Sequence, residues 1–97
     1  MVAYLIAQLD VHDAEIYQNY LKGFMPIFER NGGELLATSA QGTEVLEGSW
    51  ALPRTVIMKF PSLEAAHRWH DDPDYQALAK HRHASASTNL VLIDGLD

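Results

Sequence analysis

The residues of this chain that could do chemistry are few. Arg82 is the foremost. It follows Tyr75 and Leu78 on one side of a predicted helix, so a guanidinium would stand among apolar and aromatic neighbours. An arginine so placed can hold a carboxylate or enolate through two parallel hydrogen bonds. The competing reading is a structural ion pair, with Glu47 or Asp94 as partner. Tyr17, Tyr20, Trp50, Trp69 and Tyr75 could wall an apolar pocket that carries a few placed polar groups. They could equally be ordinary core, with hydroxyl and indole groups satisfied at its edge. Trp50 lies in a Gly/Pro-bounded loop, as a lid or as an anchor for a partner chain.

His67 and His70 are three apart on a predicted helix and Asp71 follows, but no third histidine is placed to complete a metal site, and none is assigned. His81 and His83, two apart, fall on different sides of a helix. His12 precedes a helix start and reads as an exposed loop histidine. No cysteine is present, so there is no thiolate nucleophile, disulfide or Cys-ligated metal. The chain has no Ser-His-Asp order and no phosphate-cradling glycine loop, and no cofactor is indicated.

These residues are positioned by a simple succession of elements. Val2 to Leu9 reads as a strand. Asp13 is a helix N-cap, and Ile16, Tyr17, Tyr20, Leu21, Phe24, Ile27 and Phe28 recur at helical spacing behind it. Pro26 inside this stripe predicts a kink, and Asn31-Gly32-Gly33 a stop. Glu34 to Thr38 is a second strand, with Glu44 to Glu47 continuing it or pairing near it. Gly48 to Pro53 is a loop and Thr55 to Phe60 a third strand. Ser62 caps the next helix, which carries Leu63, Ala65, Ala66 and Trp69. Asp72-Pro73 restarts it. Thr88 to Ile93 is the last strand. The order β-α-β-β-α-β, with a split second helix, is the ferredoxin-like α+β pattern: an antiparallel sheet with helices on one face. Residues 1–97 form a single domain.

The strands are apolar on both faces. Ala3, Leu5, Ala7 and Leu9 point one way, and Val2, Tyr4 and Ile6 the other. A two-layer domain covers only one of these faces. At 97 residues and 47% hydrophobic content, the second layer is expected from another copy of the chain. The second face draws on Val2, Tyr4, Ile6, Val56, Met58, Leu90 and Leu92; which parity meets the helices is left open. A net charge of −6 without a basic stripe argues against nucleic acid. No apolar run reaches the roughly 20 residues of a membrane span, so neither a membrane nor a leader is expected and the location is expected to be cytoplasmic.

One set of residues carries a family resemblance. It comprises Tyr17-x-x-Tyr20, Pro26, Gly32-Gly33, Val45-Leu46-Glu47-Gly48-x-Trp50, Phe60-Pro61-Ser62-x-Glu64-Ala65-Ala66, Trp69, Pro73-x-Tyr75, Arg82 and Leu90-Val91-Leu92-Ile93-x-Gly95. It resembles the bacterial family known as domain of unknown function thirteen-thirty, within the dimeric α+β barrel group. The resemblance implies a homodimer whose two sheets pack face to face. It implies no common reaction, because the group spans cofactor-free monooxygenases, lactone isomerases, haem enzymes and ligand-sensing domains. Two functions compete. One is a cofactor-independent enzyme, oxygenase- or isomerase-like, acting on a small organic acid or an aromatic or polyketide-like molecule. The other is a non-catalytic ligand-binding or structural dimerisation module. The stretch Thr38-Ser39-Ala40-Gln41-Gly42 departs from the family pattern, which often carries a basic residue there, and Thr38 cannot serve as an anion-binding cation. The candidate ligand-binding residues are therefore Arg82, Tyr20, Trp50, Trp69 and Tyr75, with a small organic anion as candidate ligand.

Overall fold

The fold is given by a computed structural model that describes residues 1–39 and 42–96. Four strands and three helices follow one another: β1 (Ala3–Val11), α1 (Ala14–Arg30), β2 (Glu34–Ala37), β3 (Arg54–Phe60), α2 (Leu63–Asp71), α3 (Pro73–Ser85) and β4 (Ala86–Asp94). The sheet order is β2-β3-β1-β4, antiparallel throughout. This is the ferredoxin-like arrangement expected from the element order.

Register settles which strand parity meets the helices. Leu5 pairs with Met58 and Leu92, and Ala7 with Val56 and Leu90. Leu5, Ala7, Leu9, Met58 and Phe60 are buried under the helices, and Val56, Leu90 and Leu92 pack against that core. Four of the residues assigned to the second face, Val56, Met58, Leu90 and Leu92, therefore belong to the first. The opposite face is apolar nonetheless. Ile57, Ile6 and Val91 line up across three strands, with Tyr4 and Ile93 in the next row. Val91 is 54% and Ile93 48% exposed. No helix lies over that face, because all three pack on the other.

The helix boundaries follow local chemistry. The Asp13 carboxylate accepts from the Ile16 N–H, and the Ser62 hydroxyl oxygen from the Ala65 N–H. α1 runs on through Pro26 and ends where Gly32 takes φ +91°, a left-handed turn that glycine enters freely. A Cβ on Gly33 would strike the Phe28 ring, so the chain can pass this close only as glycine.

Glu44 to Glu47 forms no strand. The chain leaves β2 at Ala37 and rejoins the sheet at Arg54. Gly42 and Gly48, both at positive φ, close off the segment between them as a loop, and Val45 and Leu46 are exposed. Ala40 and Gln41 of the departing stretch lie outside the described residues.

Asp72 joins the two ends of the helical layer. Its carboxylate accepts from Arg30 Nη2 at 2.7 Å, from Asn31 Nδ2 at 3.1 Å and from the Asp74 backbone N–H at 2.9 Å. The Arg30 bond first, then that of Asn31, holds its carboxyl down from 3.8 to about 2. A depressed carboxylate adds stability above its ordinary pKa and loses it as pH falls through the depressed one. Asp72→Asn is therefore expected to melt below the wild type at neutral pH. In thermal melts the gap should narrow as pH falls from 3.8 toward 2. A gap unchanged over that range would show that the charge contributes nothing.

Candidate functional site

The helices cover the sheet incompletely. Between α1, α3 and the inner face of β1, β3 and β4 lies a cavity of about 110 Å³. Its walls include Leu9, Phe24, Val56, Met58 and Leu90, and Leu21 and Leu35, both exposed, mark its mouth.

Helical spacing carries Arg82 into this cavity. Tyr75, Ala79 and Arg82 follow one another along the buried stripe of α3, and Arg82 is only 7% exposed. Its Cζ lies 5.7 Å from the centre of the Tyr20 ring, a cation–π contact. Among the described residues no carboxylate lies within 4.0 Å of it, so neither Glu47 nor Asp94 is its partner. Its one side-chain hydrogen-bond contact, at 3.4 Å, is to Nε2 of His83. Burial first, then Arg82, pushes the His83 pKa down, which favours the neutral ring as acceptor.

Tyr20, Trp69 and Tyr75 line the same cavity. The Tyr20 and Tyr75 hydroxyls are 2.9 Å apart and tie α1 to α3. Burial, then Tyr75, raises the Tyr20 pKa far above its ordinary value, and burial raises that of Tyr17. Both phenols are therefore neutral donors. Trp50 stands elsewhere. Its indole N–H donates to Thr55 Oγ1 at 3.0 Å, and Thr55 alternates with Arg54 and Val56 along β3, on the uncovered face. Trp50 thus lies with the apolar outer surface and not among the residues that line the cavity.

Arg54 lies just outside the strand expected from the sequence, Thr55 to Phe60, but opens β3 in the structure. It lies two positions before Val56 and so shares its face, opposite Leu9. It lines the cavity, with its Cζ 6.0 Å from the Tyr17 ring centre. Thr38 lines the cavity too. Arg54 thus puts a cation in the same lining from the neighbouring strand. Two further lining residues, Trp69 and Thr88, bring a buried Nε1 and a buried Oγ1 that have no hydrogen-bond partner among the described residues. Buried polar atoms are rarely left in that state.

Histidine is absent from the lining. His70 faces Asp71 at 3.6 Å on an exposed stretch of α2, and no group of three or more His, Asp and Glu side chains converges among the described residues. No helix is long and apolar enough to cross a membrane.

A four-stranded antiparallel sheet with helices on one face and a cavity between the layers defines a ferredoxin-like α+β protein. The chain belongs to the family described as domain of unknown function DUF1330, whose model matches residues 2–96. A protein of unknown function from Rhodopseudomonas palustris shares this fold at TM-score 0.81 and 24% identity, over 99% of this chain and 83% of that one. SnoaB, a cofactor-independent oxygenase from Streptomyces nogalater, shares it at TM-score 0.68 and 16% identity, over 99% and 94%. A dabb family protein with a ferredoxin-like fold from Mesorhizobium loti does so at TM-score 0.62 and 14% identity, over 99% and 98%. No curated protein matches the sequence.

Proposed function

We propose that this protein binds a small organic anion in the cavity between sheet and helices and acts on it without a cofactor, as a homodimer. The observation that carries the reading is Arg82: a buried guanidinium in an apolar cavity, with no carboxylate within 4.0 Å of it among the described residues. A buried charge costs several kcal/mol unless something of opposite sign meets it. An anionic ligand would supply that partner.

The lining also limits the chemistry. It offers guanidinium, phenol, hydroxyl and indole donors and, among the described residues, no carboxylate or imidazole. Such a set stabilises negative charge and brings no strong base. It suits a substrate that arrives ionised or ionises readily, such as a carboxylic acid, an enol or a phenol. The likeness to a cofactor-independent oxygenase supports this direction at the level of fold. The volume narrows the substrate. A dry cavity of roughly 150 Å³ accepts benzene, so about 110 Å³ favours a single ring or a short chain over a fused-ring polyketide.

The homodimer reading rests on the uncovered row of Ile57, Ile6 and Val91 with Tyr4 and Ile93. A second copy would cover it face to face. Trp50, held over that side by Thr55, would lie at the rim of such an interface.

Arg82→Ala is expected to weaken a carboxylate ligand at least tenfold, as befits the loss of a charge-assisted bond, and to leave the oligomer unchanged. Calorimetric titration with benzoate and sedimentation of both forms check this. Unchanged affinity in the folded variant would overturn the assignment. Binding without turnover on any ionisable single-ring or short-chain acid, under air, would leave the protein a non-catalytic binder.

A further inference from the structure

The cavity holds a second guanidinium, and the two are not alternatives. Arg82 comes down from α3, in the helical layer, and Arg54 comes up from β3, in the sheet. Each lies over its own tyrosine of α1, Arg82 over Tyr20 at 5.7 Å and Arg54 over Tyr17 at 6.0 Å. Those two rings are 5.6 Å apart, centre to centre. Neither guanidinium has a carboxylate within 4.0 Å among the described residues. Arg30, on the outside of the fold, has two. In a chain with 13 acidic residues and 7 basic ones, the buried Arg82 and the half-buried Arg54 thus line one small space with no carboxylate within 4.0 Å of either among the described residues.

From this juxtaposition we infer that the ligand is a dianion, a small dicarboxylic acid whose carboxylates meet Arg54 on the sheet side and Arg82 on the helix side. The apolar residues of the same lining, Leu9, Val56, Met58 and Leu90 among them, suit the hydrocarbon spine of such a molecule. The orphaned Trp69 N–H and Thr88 hydroxyl add donors to the same lining, and carboxylate oxygens are acceptors only. The cavity volume of about 110 Å³ suits a chain of a few carbons. The inference rests on the anion-site reading above and adds to it a second charge and the residue that reads it.

The test is a calorimetric titration at constant ionic strength with matched pairs: succinate against butyrate, and adipate against hexanoate. The expected result is at least tenfold tighter binding of the dicarboxylate in one or both pairs. Arg54→Met should abolish that preference by costing the dicarboxylate at least tenfold more affinity than the monocarboxylate, and Arg54→Lys should restore part of it. Circular dichroism confirms that each variant is folded; should Arg54→Met not fold, Arg54→Lys carries the comparison, with a reduced preference expected. Equal affinity for both members of each pair would overturn the dianion and leave the anion site standing. A preference that survives the loss of Arg54 would overturn the role of that residue. No binding of any of the four acids up to millimolar concentration would overturn the dicarboxylate ligand, and the anion site falls with it only if benzoate fails to bind as well.

Discussion

Trp69→Ala is expected to destabilise the fold by about 3–5 kcal/mol, the range for removing a buried tryptophan. For a domain of this size that corresponds to a fall in Tm of roughly 12–40 °C. The side chain is 1% exposed. Its ring centre lies 4.1 Å from that of Tyr75, 5.6 Å from Phe60, 5.7 Å from Phe28 and 6.0 Å from Phe24. It therefore touches α1, α3 and the sheet at once. Apart from Trp69, the buried residues of α2 are only Ala65 and Ala66, so the indole is what fastens that helix. Trp69→Phe should lose well under half as much, because it keeps most of the ring contacts and removes an N–H that has no partner. Urea denaturation of the three forms decides the matter. Equal, small losses in both variants would mean that α2 is held by something else.

Val91→Glu combined with Ile93→Glu is expected to turn the proposed dimer into a monomer at micromolar concentration, a weakening of at least a hundredfold. Val91 lies beside Ile6, and Ile93 beside Tyr4, on the face without helices. In a two-fold assembly each substitution occurs twice, so four carboxylates would be brought toward one apolar interface. Their desolvation is costly and their mutual repulsion adds to it. The isolated subunit should fold as before, since neither side chain reaches the core. Sedimentation velocity with circular dichroism separates the two effects. A wild-type protein that is monomeric at the same concentration would remove the dimer outright.

Much of this architecture is legible in the residues because short-range rules decide it. The stripe from Tyr17 to Phe28 and the caps at Asp13, Ser62 and Asp72 depend on neighbours three or four positions away, and each stands where spacing puts it. Arg82 reads as a buried position for the same reason, from its offset to Tyr75. The errors arise where the deciding partner is distant in sequence. Glu44 to Glu47 carries Val45 and Leu46, yet it does not pair with the free outer edge of β2, and both side chains stay exposed. Trp50 reads from its loop as a lid or as an anchor for a partner chain, and spacing alone does not choose between them. Only the register of Thr55, its hydrogen-bond acceptor, tells which face of the sheet it joins. Arg54 sits at a strand end, where a charged residue normally faces water. Its pairing opposite Leu9 shows otherwise.

The central position of β1 has a consequence for the order in which the chain acquires its shape. One edge of β1 is taken by β3 and the other by β4, where Ala3 pairs with Asp94. The first strand to leave the ribosome is thus completed by the last. Until Ala86–Asp94 has been synthesised, β1 keeps an open hydrogen-bonding edge and an apolar row that includes Leu5, Ala7 and Leu9. Pairing between such distant segments is slow, and unpaired edges invite wrong partners. Nascent chains of this protein should therefore remain clients of chaperones until β4 has emerged, and truncations that remove β4 should aggregate rather than fold.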